Sequence, residues 1–569
     1  MMRKILLICL VAASLHAQVL EHAQVPMRDG VLLATDIYLP FPGLSRYPTI
    51  VMRTPYGKEG QADLGYGFAA EGYAAVIQDV RGHGGSEGAA SMFATEADDG
   101  YDTVEWIAAQ GWSDGAVGSF GASYLGVNQY LMAGAAPPHL KCMFVVVAST
   151  DLYDNLVYPG GCFRKYDIES WADGNGEEAG LAATLLHPMR DVFWDPLSLR
   201  GKYADVTVPT VHVGGWYDLF GSGPVAAYNL FSKLSKAPRD QMLIMGPWTH
   251  SGTGQPAQGQ LVYPPDSVFT WLTDLLLQWF GYYLKGDGAD PAASGRVALY
   301  TMGDVDVPSD RWNVWKTYDD LPESGARTPY YFRSDGTINT APGNSESSLD
   351  VVFNPADPVP TIGGANLVLE AGPYDQSPLL GRADAPVFVS PFLLEPLEAT
   401  GPMSARVYFS SDVPDLDVAV RLTDIYPDGR WMLVEDGIFK ARYREGTDRE
   451  VFMTPETVYA LDVDLGTTSY VFASGHRIGC IVAGSNYPRF DVNPQTGEPV
   501  NQATHTSTAH VRLYMSARYA SRLILPSLDA GPHGRPTGAP GIAGSKARRA
   551  NLFGDLFSSM FGRSQTRRP

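Results

Sequence analysis

The chain has 569 residues, of which 45% are hydrophobic and 18% charged, a balance that suits three or four globular domains and excludes a small disulfide-stapled fold. Its 60 glycines and 42 prolines fall short of the roughly 25–30% that marks low-complexity chains. A formal net charge of −20 argues against nucleic acid as a partner, since phosphate binding needs a basic field, and no run of about 18 apolar residues is present to span a membrane.

In chain order, Arg3 and Lys4 precede an apolar run over residues 5–15, and Ala17 precedes Gln18. This is the layout of a secretory signal peptide over residues 1–17, and it predicts export to the periplasm or the exterior. Leu15 is large for its place before the cut, so cleavage after Ala13 is the alternative. Cys9 would leave with the signal. Cys142, Cys162 and Cys480 remain, an odd set with no C-x-x-C spacing, so neither a disulfide framework nor a zinc site is expected.

Next comes a hairpin, 23–28 and 31–39, turning at Asp29-Gly30. Strand-like runs then alternate with helical patterns, at 47–56, 73–82, 117–123, 142–149, 209–218 and 240–250. Several are continuously apolar, which predicts a mostly parallel sheet covered by helices on both faces. Residues 267–285 read as a core helix with Asp266 or Ser267 as N-cap. Residues 150–208 interrupt the alternation with many aromatics and acids and no good strand, which predicts a helical cap inserted over the sheet's C-terminal edge. The α/β domain is thus expected over 18–149 and 209–319. Over 320–526, strand-sized runs at 404–411, 417–426, 429–435, 458–465, 476–484 and 509–516, with a turn at Pro427-Asp428-Gly429, predict an antiparallel β-sandwich of the jelly-roll kind. Residues 527–569 read as a flexible basic tail. Within it Leu552, Phe553, Leu556, Phe557, Met560 and Phe561 form one apolar stripe, suited to an anionic membrane surface or an acidic partner, or else to a disordered tail or a helix docked on its own domain.

The chemistry is expected around Gly121-Ala122-Ser123-Tyr124-Leu125-Gly126, where a strand runs into Ser123 and a helical pattern leaves it. A serine on such a turn needs small neighbours and projects its Oγ above the sheet. The strict G-x-S-x-G pattern occurs elsewhere, at Gly84-Gly85-Ser86-Glu87-Gly88, but no helix follows there. Context selects Ser123. A nucleophilic serine needs a base and an orienter, which in α/β-hydrolases follow in the order acid, then histidine. Asp218 ends the run 209–218 and His250 ends the run 240–250, so the order 123, 218, 250 fits. His83 and His139 precede the acid, His212 lies inside a strand, and His476, His505 and His510 lie in the sandwich.

Together with Arg53-Thr54-Pro55-Tyr56, Asp79-Val80-Arg81-Gly82, Gly215-Trp216-Tyr217-Asp218, Gly246-Pro247-Trp248-Thr249-His250 and Ser485-Asn486-Tyr487-Pro488-Arg489-Phe490-Asp491, this segment resembles the bacterial cocaine-esterase and cephalosporin-acylase-like serine hydrolases. Their relatives are X-prolyl dipeptidyl aminopeptidases and α-amino-acid ester hydrolases. The resemblance runs from about residue 22 to about residue 525. It implies an oxyanion hole made by the Tyr56 hydroxyl and the Tyr124 amide, tolerates the late glycine at 126, and makes the Ser86 loop structural. It also suggests that Trp171 and Phe220 line an aromatic acyl pocket, although aromatic residues in a helical insertion also serve as plain packing.

The expected function is hydrolysis of small carboxylic esters or amides through an acyl-enzyme, with no cofactor and no metal. An X-prolyl dipeptidyl-peptidase or α-amino-acid ester hydrolase is the alternative. It would need carboxylates for a free amine, and Asp151, Asp154, Asp167, Glu169, Asp173, Glu177 and Glu178 in the insertion are candidates. A silent binding scaffold is the third reading.

Overall fold

The computed structural model describes residues 19–40, 45–268, 271–322, 327–343 and 346–526. The expected signal segment and the basic tail lie outside the described residues. A ten-stranded sheet is built from β1 (Val19–Pro26), β2 (Leu32–Leu39), β3 (Tyr47–Thr54), β4 (Ala74–Asp79), β5 (Ser113–Ala122), β6 (Leu140–Val146), β7 (Thr210–Tyr217), β8 (Gln241–Thr249), β9 (Val297–Thr301) and β10 (Val314–Tyr318). Its order is β1-β2-β4-β3-β5-β6-β7-β8-β9-β10. The strands from β4 to β9 in that order pair in parallel, and the flanking strands are antiparallel. The β1–β2 hairpin turns at Asp29-Gly30, where Gly30 takes φ 88°, and it lies at the sheet edge. Every residue of β4, β7 and β8 is buried, which is why these runs are continuously apolar instead of alternating.

Helices α1 (Ala62–Ala70), α2 (Glu96–Ala108) and α3 (Tyr124–Gly134) pack against the sheet. Between β6 and β7 the chain forms single turns and the helices α4 (Lys165–Asn175) and α5 (Glu178–Leu185), with no named strand. This insertion also touches the C-terminal region: Asp167 accepts the amides of Leu367 and Val368, and Arg164 donates to the Ala365 carbonyl. After β7 comes α6 (Gly223–Leu234). The helix expected over 267–285 is shorter at its start. Pro265–Ser267 makes one 3₁₀ turn, Val268 is extended with ψ 147°, and α7 (Leu272–Phe280) begins after Trp271, not Asp266 or Ser267. The extended Val268 breaks the helical hydrogen-bond ladder there. A π turn, Gly281–Lys285, completes the segment.

Among the described residues, the C-terminal region holds two antiparallel sheets. All six runs expected there contain strands, the longest being Leu397–Ser411 and Tyr459–Phe472. Short strands that the sequence pattern did not reveal complete them, among them Arg327–Phe332, Ser348–Phe353, Val387–Val389 and Arg522–Pro526. Gly429, at φ 97°, closes the turn after Asp428. Cys142, Cys162 and Cys480 are free and buried.

Candidate active site

The site is assembled where parallel strands end. β5 stops at Ala122 and α3 starts at Tyr124, leaving Ser123 between them at φ 59°, ψ −121°. A left-handed φ at a non-glycine residue is strained, and such strain concentrates at functional sites. The glycines flanking it are required by space. A Cβ on Gly121 would stand 2.4 Å from Leu125 Cβ, and one on Gly126 would stand 2.7 Å from Ala148 Cβ and 3.0 Å from the Val146 carbonyl. The second glycine therefore falls at 126, because that residue and not Leu125 meets the end of β6.

Asp218 follows β7 and His250 follows β8. The two strand ends interlock: a Cβ on Gly215 would lie 2.1 Å from the Trp248 carbonyl oxygen, and one on Gly246 would lie 2.3 Å from the Trp248 ring. His250 Nδ1 donates to Asp218 Oδ2 at 2.5 Å, and His250 Nε2 lies 2.9 Å from Ser123 Oγ. The other Asp218 oxygen accepts the Phe220 amide at 2.8 Å. Acid and imidazole are both buried, so the carboxylate fixes the tautomer in which Nε2 accepts from the serine.

Tyr56 stands on the loop after β3. Its hydroxyl accepts from Trp171 Nε1 at 3.2 Å and stands near Ser123. Desolvation of that hydroxyl, only partly offset by these two contacts, pushes its pKa up to about 12, so it keeps its proton. The residue as a whole retains 39% exposure. Tyr124 opens α3, and the first amides of a helix have no intrahelical acceptor. The Tyr124 ring stacks on Phe93 with centroids 3.9 Å apart, and Trp171 lies about parallel to both at 6.0 and 6.1 Å. Phe220 packs beside the His250 ring, with centroids 5.9 Å apart.

Several contacts that hold this arrangement join residues far apart in the chain. Met92 and Phe93 both take positive φ, 45° and 73°, and the buried Glu177 of the insertion accepts the Met92 amide and pairs with His83. Arg53, Glu96 and Asn128 tie the Tyr56 loop to α2 and α3. Arg53 was visible only as a member of a motif, and a buried carboxylate partner at position 96 leaves no local signal.

The competitors fall away. Ser86 Oγ donates to the Asp79 carbonyl and accepts the Ala34 amide. His212 is buried beside Tyr130 and Gln241, and desolvation lowers it to about 3. The acids of the insertion are also engaged: Asp151 and Asp154 by Arg190, Asp167 by backbone amides, Glu169 by Lys165, and Glu177 by His83 and Met92. Asp173 and Glu178 face solvent. An open groove of about 550 Å³ lined by Arg327, Tyr331, Arg518 and Arg522 shares no residue with the Ser123 cluster.

Family models match both halves of the chain: X-Pro dipeptidyl-peptidase (S15 family) over residues 29–184 and 177–252, and the X-Pro dipeptidyl-peptidase C-terminal non-catalytic domain over 290–524. Cocaine esterase of Rhodococcus sp. (strain MB1 Bresler) is 32% identical over 575 residues, covering 89% of this chain and 98% of that protein. Among solved structures, an α-amino acid ester hydrolase and an aminopeptidase from a marine-sediment Thaumarchaeota archaeon each match with a TM-score of 0.78. Both are 26% identical, over 90% of this chain and 97% of theirs. The fold is that of the α/β-hydrolases, with C-terminal antiparallel sheets appended.

Proposed function

Because the chain belongs to the cocaine-esterase family of serine hydrolases, and is therefore a hydrolytic enzyme, we propose that it cleaves small carboxylic esters through an acyl-enzyme on Ser123. The observation that carries this reading is the contact series Ser123–His250–Asp218 at 2.9 and 2.5 Å. His250 takes the serine proton as Oγ attacks the carbonyl carbon, and Asp218 steadies the imidazolium that forms. The tetrahedral oxyanion is met by the Tyr56 hydroxyl and the Tyr124 amide. His250 then returns the proton to the leaving alcohol, and water repeats the sequence on the acyl-enzyme.

In the same reading, residues 18–149 and 209–319 form the hydrolase domain, 150–208 its cap and 320–526 an appended jelly-roll domain. Trp171 and Phe220 stand at the acyl side. Residues 1–17 direct export, and mass spectrometry of the mature N-terminus tests that cut. Among the described residues no helix is long and apolar enough to cross a membrane.

The likeness to the S15 model and to an α-amino acid ester hydrolase supports a second reading, hydrolysis of free-amine esters or X-prolyl peptides. The engagement of five of the insertion's seven acids counts against it, since a substrate ammonium needs a carboxylate with capacity to spare. Fluorophosphonate labelling of wild type and Ser123→Ala, with turnover of p-nitrophenyl esters, amino-acid esters and X-Pro-anilides, tests both. Labelling that survives Ser123→Ala refutes the nucleophile, and anilides or free-amine esters outrunning simple esters favour the second reading.

A further inference from the structure

We propose that Trp171 is a positioning residue of the oxyanion hole, its indole N–H holding the Tyr56 hydroxyl so that the phenolic proton faces the oxygen that becomes negative. This rests on the serine-hydrolase reading above and adds to it a role for the insertion in the chemical step.

An indole nitrogen only donates, and an ionised carboxylate only accepts. Asp218 therefore fixes the proton on His250 Nδ1, Nε2 must accept, and Ser123 must spend its proton on Nε2. With its proton on Nε2, Ser123 has none to offer the neighbouring Tyr56 hydroxyl. At the other end Trp171 Nε1 occupies a lone pair of the Tyr56 oxygen at 3.2 Å. The Tyr56 proton must therefore point away from the indole. When Oγ attacks, that proton is available to the new oxyanion.

Without the indole, water would take its place on the Tyr56 oxygen, and water both donates and accepts. The phenolic proton would then point elsewhere in part of the population. The raised Tyr56 pKa agrees with a hydroxyl that stays a donor. Trp171 is itself held: it lies parallel to Phe93 and Tyr124, and α4 is anchored through Asp167 to the amides of Leu367 and Val368. The hole is thus complete only while the insertion is docked.

The test separates an oriented hydroxyl from an aromatic wall. Turnover of p-nitrophenyl acetate, whose acyl group is too small to need a wall, is measured for Trp171→Phe, Tyr56→Phe and the double variant. A protein carrying the benzothiophene isostere of tryptophan at 171, with sulfur in place of the N–H, guards against a packing defect. Trp171→Phe and the isostere are expected to lower kcat about tenfold with KM within about twofold. Tyr56→Phe is expected to lower it by about 10²–10³, and the double variant to fall no further than Tyr56→Phe. Unchanged kcat with raised KM in both 171 variants would overturn the proposal, as would losses that multiply in the double variant or a fully active Tyr56→Phe. Fluorophosphonate labelling in parallel identifies a failure of the nucleophile assignment itself, since that alone leaves Ser123→Ala labelled.

Discussion

The Tyr124 hydroxyl donates to the buried Glu96 carboxylate at 3.1 Å, and the second Glu96 oxygen takes Arg53 Nη1 at 2.6 Å. Arg53 lies in the segment that carries Tyr56, and its carbonyl accepts Asn128 Nδ2 from α3 at 2.7 Å. Both arms of the proposed oxyanion hole are therefore moored to one buried pair. Burial pushes the Glu96 carboxyl up while the Arg53 charge opposes it. Glu96→Ala would strand the Arg53 cation, whose Nη2 already lacks a hydrogen-bond partner and lies 4.0 Å from Asp99. The expected cost is about 3–5 kcal/mol, read as a lower urea midpoint. Glu96→Gln keeps an acceptor for Tyr124 and should cost less. Two variants as stable as wild type would show that the pair is not a mooring.

Ser86 sits in a literal G-x-S-x-G pattern, yet its hydroxyl is spent on backbone groups of the β2 and β4 strand ends. Ser86→Ala should keep full fluorophosphonate labelling and lose about 1–2 kcal/mol of stability from the orphaned partners. Lost labelling in a folded Ser86→Ala protein would contradict this.

These cases mark what the amino-acid order reveals. The strand ends at Ser123, Asp218 and His250 were legible because continuously apolar runs terminate there in small or polar residues, a local pattern. The ten-stranded sheet extends further than the pattern indicated, since β10 (Val314–Tyr318) pairs with β9 at an edge and carries only a short, mixed run. The Glu96–Arg53 pair, the Glu177–His83 contact and the positive φ of Phe93 join residues far apart in the chain, so their signal exists only in three dimensions. The acids of the insertion are a run in sequence only: Asp151 and Asp154 pair with Arg190 and Glu169 with Lys165, Asp167 takes backbone amides, and Asp173 and Glu178 face solvent.

The position of the second glycine yields a sharper expectation. Gly126→Ala would push a methyl to 2.7 Å from Ala148 Cβ and 3.0 Å from the Val146 carbonyl, shifting the turn that carries Ser123 and the Tyr124 amide. Overpacking of this kind costs about 1–3 kcal/mol, and the displaced donors should lower kcat as well. Adding Ala148→Gly removes one of the two clashes, so thermal stability and kcat should recover together, in part. A double variant no better than Gly126→Ala alone would place the obstruction elsewhere.

His476 links the two halves of the molecule. Its Nδ1 pairs with Asp424 at 2.9 Å inside the C-terminal sheet, and its Nε2 pairs with Asp304, just beyond β9, at 3.2 Å. Tyr470 donates to the same Asp424 carboxylate, Tyr426 covers the imidazole face, and the Arg430 charge acts on Asp304. Burial pulls the imidazole pKa down, but the hydrogen bonds to Asp304 and Asp424 outweigh it and raise it to about 9 from an ordinary 6.5. A folded-state pKa above the unfolded value means that the proton favours folding. Its contribution, at most on the order of 3 kcal/mol, is full below about pH 6.5 and is lost as pH rises through 9. Urea unfolding of wild type and His476→Gln across pH 6 to 10 reads this directly. The stability gap between them should be wide at pH 6 and should close toward pH 10. A gap that stays constant with pH would mean that His476 packs between the sheets as a neutral ring and contributes no charge to the junction.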